Sequence, residues 1–170
     1  DHYGGMADVL DATGCGGLIV PRGGRSRLAE AGIDGRRARR VEEVGDGYAW
    51  ESGGVRFEVL NPAVGSEEPD LSTEDVENER SIVLTVTFGS VRVLLTGDAG
   101  GVVERRLVDQ PERVRSTVLK VGHHGSNLSS CGPFLDAVKP DYCIVCVGPN
   151  SHGLPSRKAM VRLQAACSTV

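Results

Sequence analysis

Three polar clusters in this 170-residue sequence carry side chains that could do chemistry together: Asp1-His2, Asp98 within Thr96-Gly97-Asp98, and the pair His123-His124. Carboxylate and imidazole together form a donor set for zinc, manganese or iron, and ligand softness does not choose among those ions. A lone Asp after a strand is commonly a turn or helix-cap residue, so Asp98 gains weight only from its company. Two adjacent histidines between Gly122 and Gly125 make a poor core. Glycines give a backbone room to turn side chains toward a ligand, at a cost in conformational entropy. Asp98 and the histidine pair also each close an apolar run, the place where open α/β sheets put their sites.

The elements that must position them can be read from punctuation and periodicity. Met6 to Thr13 has helical spacing, and Gly17 to Val20, closed by Pro21, reads as a strand. The Arg-rich stretch that follows lacks apolar periodicity and is expected to be a lightly packed helix or loop. Val55 to Leu60 alternates as a half-buried strand does, with Asn61-Pro62 as its stop. Residues 63–79, rich in Glu, Asp, Ser and Pro, are expected to form an acidic loop. Ile82 to Phe88 and Val91 to Thr96 flank Gly89-Ser90, a connection suited to a tight hairpin. Gly101 to Gln110 places Val103 and Leu107 on one helical face, and Thr117 to Val121 is a further strand that delivers the histidines. Pro133 to Lys139 reads as a short helix and Tyr142 to Val147 as a buried strand. Ser156 can cap a final helix whose inner stripe is Met160, Leu163 and Cys167.

Composition bounds the rest. A chain of 170 residues can bury a core without cross-links, and a charged fraction of 25% with 23 glycines describes a folded α/β protein rich in turns. The net charge of −4 argues against a surface that grips nucleic acid over its whole extent. A cluster of Arg22, Arg25, Arg27, Arg36, Arg37, Arg39 and Arg40 could meet phosphates, though a solvated face is the simpler reading. No membrane segment is visible, the longest uncharged apolar stretch being Tyr142 to Val147. The five cysteines, Cys15, Cys131, Cys143, Cys146 and Cys167, are odd in number and scattered, which predicts no disulfide framework and fits a reducing compartment slightly better. Cys143 and Cys146 have C-x-x-C spacing, but residues three apart on a strand face opposite ways, so buried, inert thiols are expected there.

With the motifs in view, the sequence resembles the metallo-β-lactamase superfamily. Asp1-His2-x-Gly4-Gly5 looks like the end of its H-x-H-x-D-H-x-x-G motif, and Leu94-Leu95-Thr96-Gly97-Asp98 looks like the strand end that supplies its bridging aspartate. Within the superfamily the likeness is greatest to the C-terminal domain of ComEC-type competence proteins and their free-standing relatives. It is carried by Val118 to Ser126, by Phe134 to Asp141, and by a strand like Ser81-Ile82-Val83-Leu84 ahead of the Thr-Gly-Asp. Two positions depart: Arg80 stands where an Asn is common, with Asn78 displaced, and Gly153-Leu154-Pro155 replaces a usual Gly-His-Pro, with His152 two positions early.

The resemblance implies an α/β (α+β) chain, an αβ/βα sandwich of which residues 1–170 are one partial domain, mostly the C-terminal half, lacking the N-terminal sheet and the start of the metal motif. It implies two divalent metal ions, Zn2+ or Mn2+, with Asp1, His2, Asp98 and one of His123 and His124 as ligands. The other histidine would touch substrate or donate a proton, and Ser126, Asn150 and His152 are candidate substrate contacts. The implied activity is that of a metal-dependent hydrolase using a metal-bridging hydroxide, acting as a phosphodiesterase or nuclease on DNA, with single-stranded DNA or another phosphodiester as the expected partner. Two other readings stay open: hydrolysis of a small ester, lactone or β-lactam on the same fold, and a degenerate, non-catalytic binding module. A free-standing relative would be cytoplasmic, whereas a domain of a competence protein would be membrane-tethered and outward-facing. These 170 residues by themselves are expected to show weak activity or none.

Overall fold

The computed structural model describes residues 5–14, 17–29, 32–34, 40–63 and 73–170. They belong to two compact units, residues 1–45 and 46–170. In the first, helix α1 (Met6–Thr13) ends on Gly14 in the left-handed conformation, and its Leu10 joins Ile33, Met6, Leu18, Leu28 and Val41 in a small core. Strand β1 (Leu18–Pro21) pairs in parallel with β2 (Val41–Val44). The sequence gives β2 no clear signature, because Val-Glu-Glu-Val does not alternate. Of the Arg-rich stretch, Arg25–Arg27 forms a single 3-10 turn, and Arg36, Arg37 and Arg39 lie outside the described residues.

The second unit is a six-stranded sheet whose strands lie in chain order: β3 (Ala49–Ser52), β4 (Val55–Asn61), β5 (Val83–Phe88), β6 (Val91–Leu95), β7 (Val118–Lys120) and β8 (Tyr142–Ile144). The first four are antiparallel neighbours and the last three run parallel. Phe88 faces Val91 across the expected two-residue Gly89-Ser90 connection, where Gly89 takes φ +57°. Parallel neighbours need a crossover. Helices α3 (Gly101–Val108) and α4 (Pro111–Val114) supply the first, and α5 (Gly132–Val138) the second. Helix α6 (Arg157–Ala166) closes the chain, with the Ser156 hydroxyl accepting from the Ala159 N–H as its cap.

Strand alternation explains the core. Leu60, Val83, Leu94, Leu119 and Cys143 face the helices and meet Val103, Leu107, Phe134, Leu135, Val138 and Leu163, all buried. The alternate row of the same sheet, read from the register, carries Trp50, Phe57, Leu84, Val86, Val93 and Leu95. Trp50 and Phe57, directly opposite on β3 and β4, stack at 4.6 Å with planes 4° apart.

Three expectations need correction. Residues 64–72 lie outside the described set, but the rest of the supposed acidic loop is helix α2 (Thr73–Glu79). The strand expected over Tyr142 to Val147 stops at Ile144 and is an edge strand, so Tyr142 and Ile144 are half exposed and only Cys143 points into the core. The cysteines also pair: Cys143 is joined by a disulfide to Cys167, just beyond α6. Cys143 is therefore not an inert thiol, and Cys146 is exposed rather than buried. Edge position is the common cause, because the open side of β8 takes the chain terminus as a neighbour through a Tyr142–Thr169 bridge. That brings Cys167 alongside. No helix among the described residues is long and apolar enough to cross a membrane.

Candidate metal centre

Asp98 and the histidine pair stand at the ends of adjacent parallel strands, and the backbone ties them together before any side chain does. The His123 N–H donates to the Gly97 carbonyl at 3.1 Å. The buried Thr96 hydroxyl donates to the Lys120 carbonyl at 2.9 Å, locking the end of β6 to that of β7. Gly97 takes φ +56°, and a Cβ there would sit 2.9 Å from Cβ of Ser81, so no other residue fits without movement. The Ser81 hydroxyl accepts the Asp98 N–H at 3.1 Å. Ser81 is itself held by Asn61, a buried amide that donates to the carbonyls of both Glu79 and Ser81 at 2.8 Å.

After β7 the chain makes a tight turn over Gly122–Gly125 in which His123 (φ 45°) and His124 (φ 54°) are both left-handed. Such backbone costs a non-glycine residue on the order of 1 kcal/mol or more. Gly122 and Gly125 permit the turn: a Cβ on Gly122 would sit 3.1 Å from the Ala99 carbonyl, and one on Gly125 would sit 2.7 Å from Cβ of Pro155. Close approach thus requires glycine on both sides of the histidines, and at Gly125 the φ of +80° requires it as well.

His124 and Asp98 face each other, with Nε2 3.7 Å from Oδ2. The other ring nitrogen, Nδ1, lies 2.7 Å from the Cys146 carbonyl. A carbonyl only accepts, so Nδ1 carries a proton, and in the neutral ring Nε2 then presents its lone pair toward the carboxylate. Two acceptors facing each other repel unless a cation lies between them, whether a proton on the ring or a metal ion. Donors each about 2.1 Å from one zinc-sized ion stand roughly 3.4 Å apart at the tetrahedral angle, close to the observed separation. The anchoring of Nδ1 by a backbone carbonyl is also what fixes the tautomer and aim of metal-ligating histidines. The residues present therefore fit a divalent ion. Among the described residues no group of three or more His, Cys, Asp or Glu side chains gathers at one point. Asp1 and His2 lie outside the described residues.

The remaining candidates fall around this pair. The His123 ring, half-buried, stands 6.4 Å from that of His124, centroid to centroid, in an edge arrangement. Ser126 is buried, its N–H donates to the His123 carbonyl, and its hydroxyl accepts from the Leu128 N–H, so it braces the turn from within. Asn150 folds its own exposed loop: Nδ2 donates to the Gly148 and Leu154 carbonyls, and Oδ1 accepts from the His152 and Leu154 N–H groups. His152 is exposed on that loop. The loop borders the histidine turn, since Pro155 packs on Gly125 and the Ser156 N–H donates to the Gly125 carbonyl. The anchoring roles of Asn61 and of the Cys146 carbonyl were not legible in the sequence. Ser81 carried a signal as the opening residue of the strand before Thr-Gly-Asp.

Comparison with known proteins identifies the family. Residues 1–148 match the metallo-beta-lactamase superfamily. The chain is similar to "Competence protein ComA" of Neisseria gonorrhoeae, 38% identical over 68% of this chain and 16% of that protein. It is likewise similar to "ComE operon protein 3" of Bacillus subtilis, 30% identical over 96% of this chain and 21% of that protein. "Recombination protein 2" of Haemophilus influenzae is 32% identical over 100% of this chain and 19% of its own length. The chain thus spans a fifth or less of the length of most of these relatives. Among solved structures, CmlA, a diiron beta-hydroxylase from Streptomyces venezuelae, shares the fold with a TM-score of 0.55 at 17% identity, over 89% of this chain and 36% of that one. The chain belongs to the metallo-β-lactamase superfamily, with ComEC-type competence proteins among its homologues.

Proposed function

We propose that this chain is the hydrolase domain of a ComEC-type competence protein and cleaves phosphodiesters, with single-stranded DNA as its substrate class. The observation that carries the proposal is the facing of His124 Nε2 and Asp98 Oδ2 at 3.7 Å, with Nδ1 anchored on the Cys146 carbonyl. Asp98 and His124 would hold a divalent ion, with Asp1 and His2, which lie outside the described residues, as the further ligands that the family resemblance implies. Zn2+ or Mn2+, when bound, supplies activation of water near neutral pH and neutralises charge that builds on a phosphoryl group.

The chain's own residues do the rest. Ser81 and the Gly97 turn hold the Asp98 carboxylate at the strand end, and the Cys146 carbonyl keeps the proton of His124 on Nδ1 so that Nε2 stays a donor of electrons. His123 is free of that duty and holds a proton at its ring for the leaving oxygen. The Asn150–Leu154 loop, with His152 exposed, lies where substrate is met. The Cys143–Cys167 disulfide supports an oxidising compartment, which fits an outward-facing domain better than a cytoplasmic one.

The test is hydrolysis of single-stranded DNA and of bis(p-nitrophenyl) phosphate by the full-length protein with Mn2+ or Zn2+. Metal-dependent turnover that falls at least a hundredfold in Asp98→Ala is expected. No turnover on either substrate, or an Asp98→Ala protein as active as the wild type, would refute the proposal. Turnover on a small ester or lactone alone would move the chain to another hydrolase class.

A further inference from the structure

The loop after the histidine pair is gripped from both sides by charged side chains that the reading above does not use. We propose that Glu104 and Arg162 are positioning residues: they hold the Asn127–Cys131 loop, and through it the His123-His124 turn, in register with Asp98. The inference rests on the metal reading of the site. Glu104, on α3, is 3% exposed, and its carboxylate accepts the N–H groups of Ser130 and, at 2.9 Å, of Cys131. Helix α3 begins at Gly101, just after Asp98. One buried carboxylate therefore joins the segment behind the aspartate to the segment behind the histidines.

Arg162, on α6, takes the opposite side of the same peptides. Its Nε donates to the Ser130 carbonyl at 2.9 Å. One terminal nitrogen donates to the carbonyls of Ser129 at 2.9 Å and Asn127 at 3.3 Å, and the other to Asn127 Oδ1 at 3.2 Å. Glutamate satisfies the N–H groups and arginine the carbonyls, so the run cannot rotate without stranding buried polar groups, each worth about 1–3 kcal/mol. Ser130 shows how firm the grip is. It is left-handed at φ 57°, and its hydroxyl is buried without a hydrogen-bond partner, two local costs that the surroundings override.

The grip reaches the histidines through named bonds. The Ser129 hydroxyl donates to the Gly122 carbonyl at 2.8 Å, and the Ser126 N–H donates to the His123 carbonyl at 2.8 Å. Ser129 also donates its N–H to the Ser126 carbonyl at 3.3 Å. Among the described residues neither Glu104 nor Arg162 forms an ion pair, so pairing of opposite charges does not account for either.

Glu104→Gln keeps the shape but turns an amide NH2 toward a backbone N–H, and Arg162→Lys keeps the charge but loses the planar fork. The full-length variants are compared by hydrogen exchange at the Ser126, Ser130 and Cys131 amides, and by calorimetric titration with Zn2+ where each protein is folded. Arg162→Lys carries the test if Glu104→Gln does not fold. We expect local loss of protection and a Zn2+ Kd raised about ten- to a hundredfold. Arg113→Ala, which cuts a separate network to Asp46 and Glu58, should lower the melting temperature and leave both readouts unchanged. Loss of protection with wild-type Zn2+ affinity, retained protection, or an equal affinity loss in Arg113→Ala overturns the positioning role alone. A wild-type protein that takes up no Zn2+ overturns the metal reading beneath it.

Discussion

At the scale of single residues, the candidate site stores backbone strain at its two histidines. His123 and His124 both occupy the left-handed region, which a Cβ makes unfavourable and glycine accepts freely. His123→Gly should therefore stabilise the fold by about 1 kcal/mol in a denaturant melt while slowing turnover. A variant less stable than the wild type would show that the ring packs more than it strains. Glu104 makes a prediction in pH. Burial raises its pKa, against the lowering effect of the Cys131 and Ser130 N–H bonds. A raised native pKa favours the protonated fold, so that contribution is complete below the ordinary carboxylate value, about 4.3, and is lost as pH rises through the raised one. Wild type should lose stability relative to Glu104→Gln as pH rises over that window; parallel curves would contradict the shift. Asp98, His123 and His124 were legible from sequence because their side chains are chemically distinctive. The Cys146 carbonyl was not, since any residue supplies one, and neither was the role of Glu104, whose partners, the Ser130 and Cys131 N–H groups, lie 26 and 27 residues along the chain.

At the scale of elements, legibility followed alternation. Strands β4, β5 and β6 and the Gly89-Ser90 hairpin could be read because apolar and polar residues alternate between clear stops, and α6 because Ser156 caps a visible stripe. Strand β3 hid because Ala49-Trp50-Glu51-Ser52 has one buried-type residue, whose partner, Phe57, lies on another strand. Strand β8 misled because an edge strand in β-branched and aromatic residues looks like a central one. The Cys143–Cys167 link ties that edge to the end of α6 across 24 residues, a closure worth about 3 kcal/mol in the chain-entropy account. Reduction or Cys167→Ser should lower unfolding free energy by about 2–4 kcal/mol, read by urea denaturation with and without reductant. Equal midpoints would argue that the pair is not joined in solution. The turn before Asp98 is tighter still: Gly97→Ala places a methyl 2.9 Å from Cβ of Ser81 at positive φ. It should destabilise by about 2 kcal/mol and lose activity beyond what the melt explains.

At the scale of the whole molecule, the sheet puts its chemistry at one end: the strands carrying Asp98 and the histidines are parallel neighbours, so both motifs emerge on the same edge. That juxtaposition is legible only through topology, because the two motifs are separated by a crossover that the sequence shows merely as one helical stretch, Gly101 to Gln110, and to which the structure adds a second short helix, Pro111–Val114. The central claim is that Asp98 and His124 share one cation. Zn2+ titration calorimetry on the full-length wild type, Asp98→Ala and His124→Ala, each shown folded by circular dichroism, tests it most directly. The account predicts Zn2+ binding by the wild type and an affinity at least a hundredfold weaker in both variants. Wild-type affinity retained in either one, or no binding by the wild type, would contradict it.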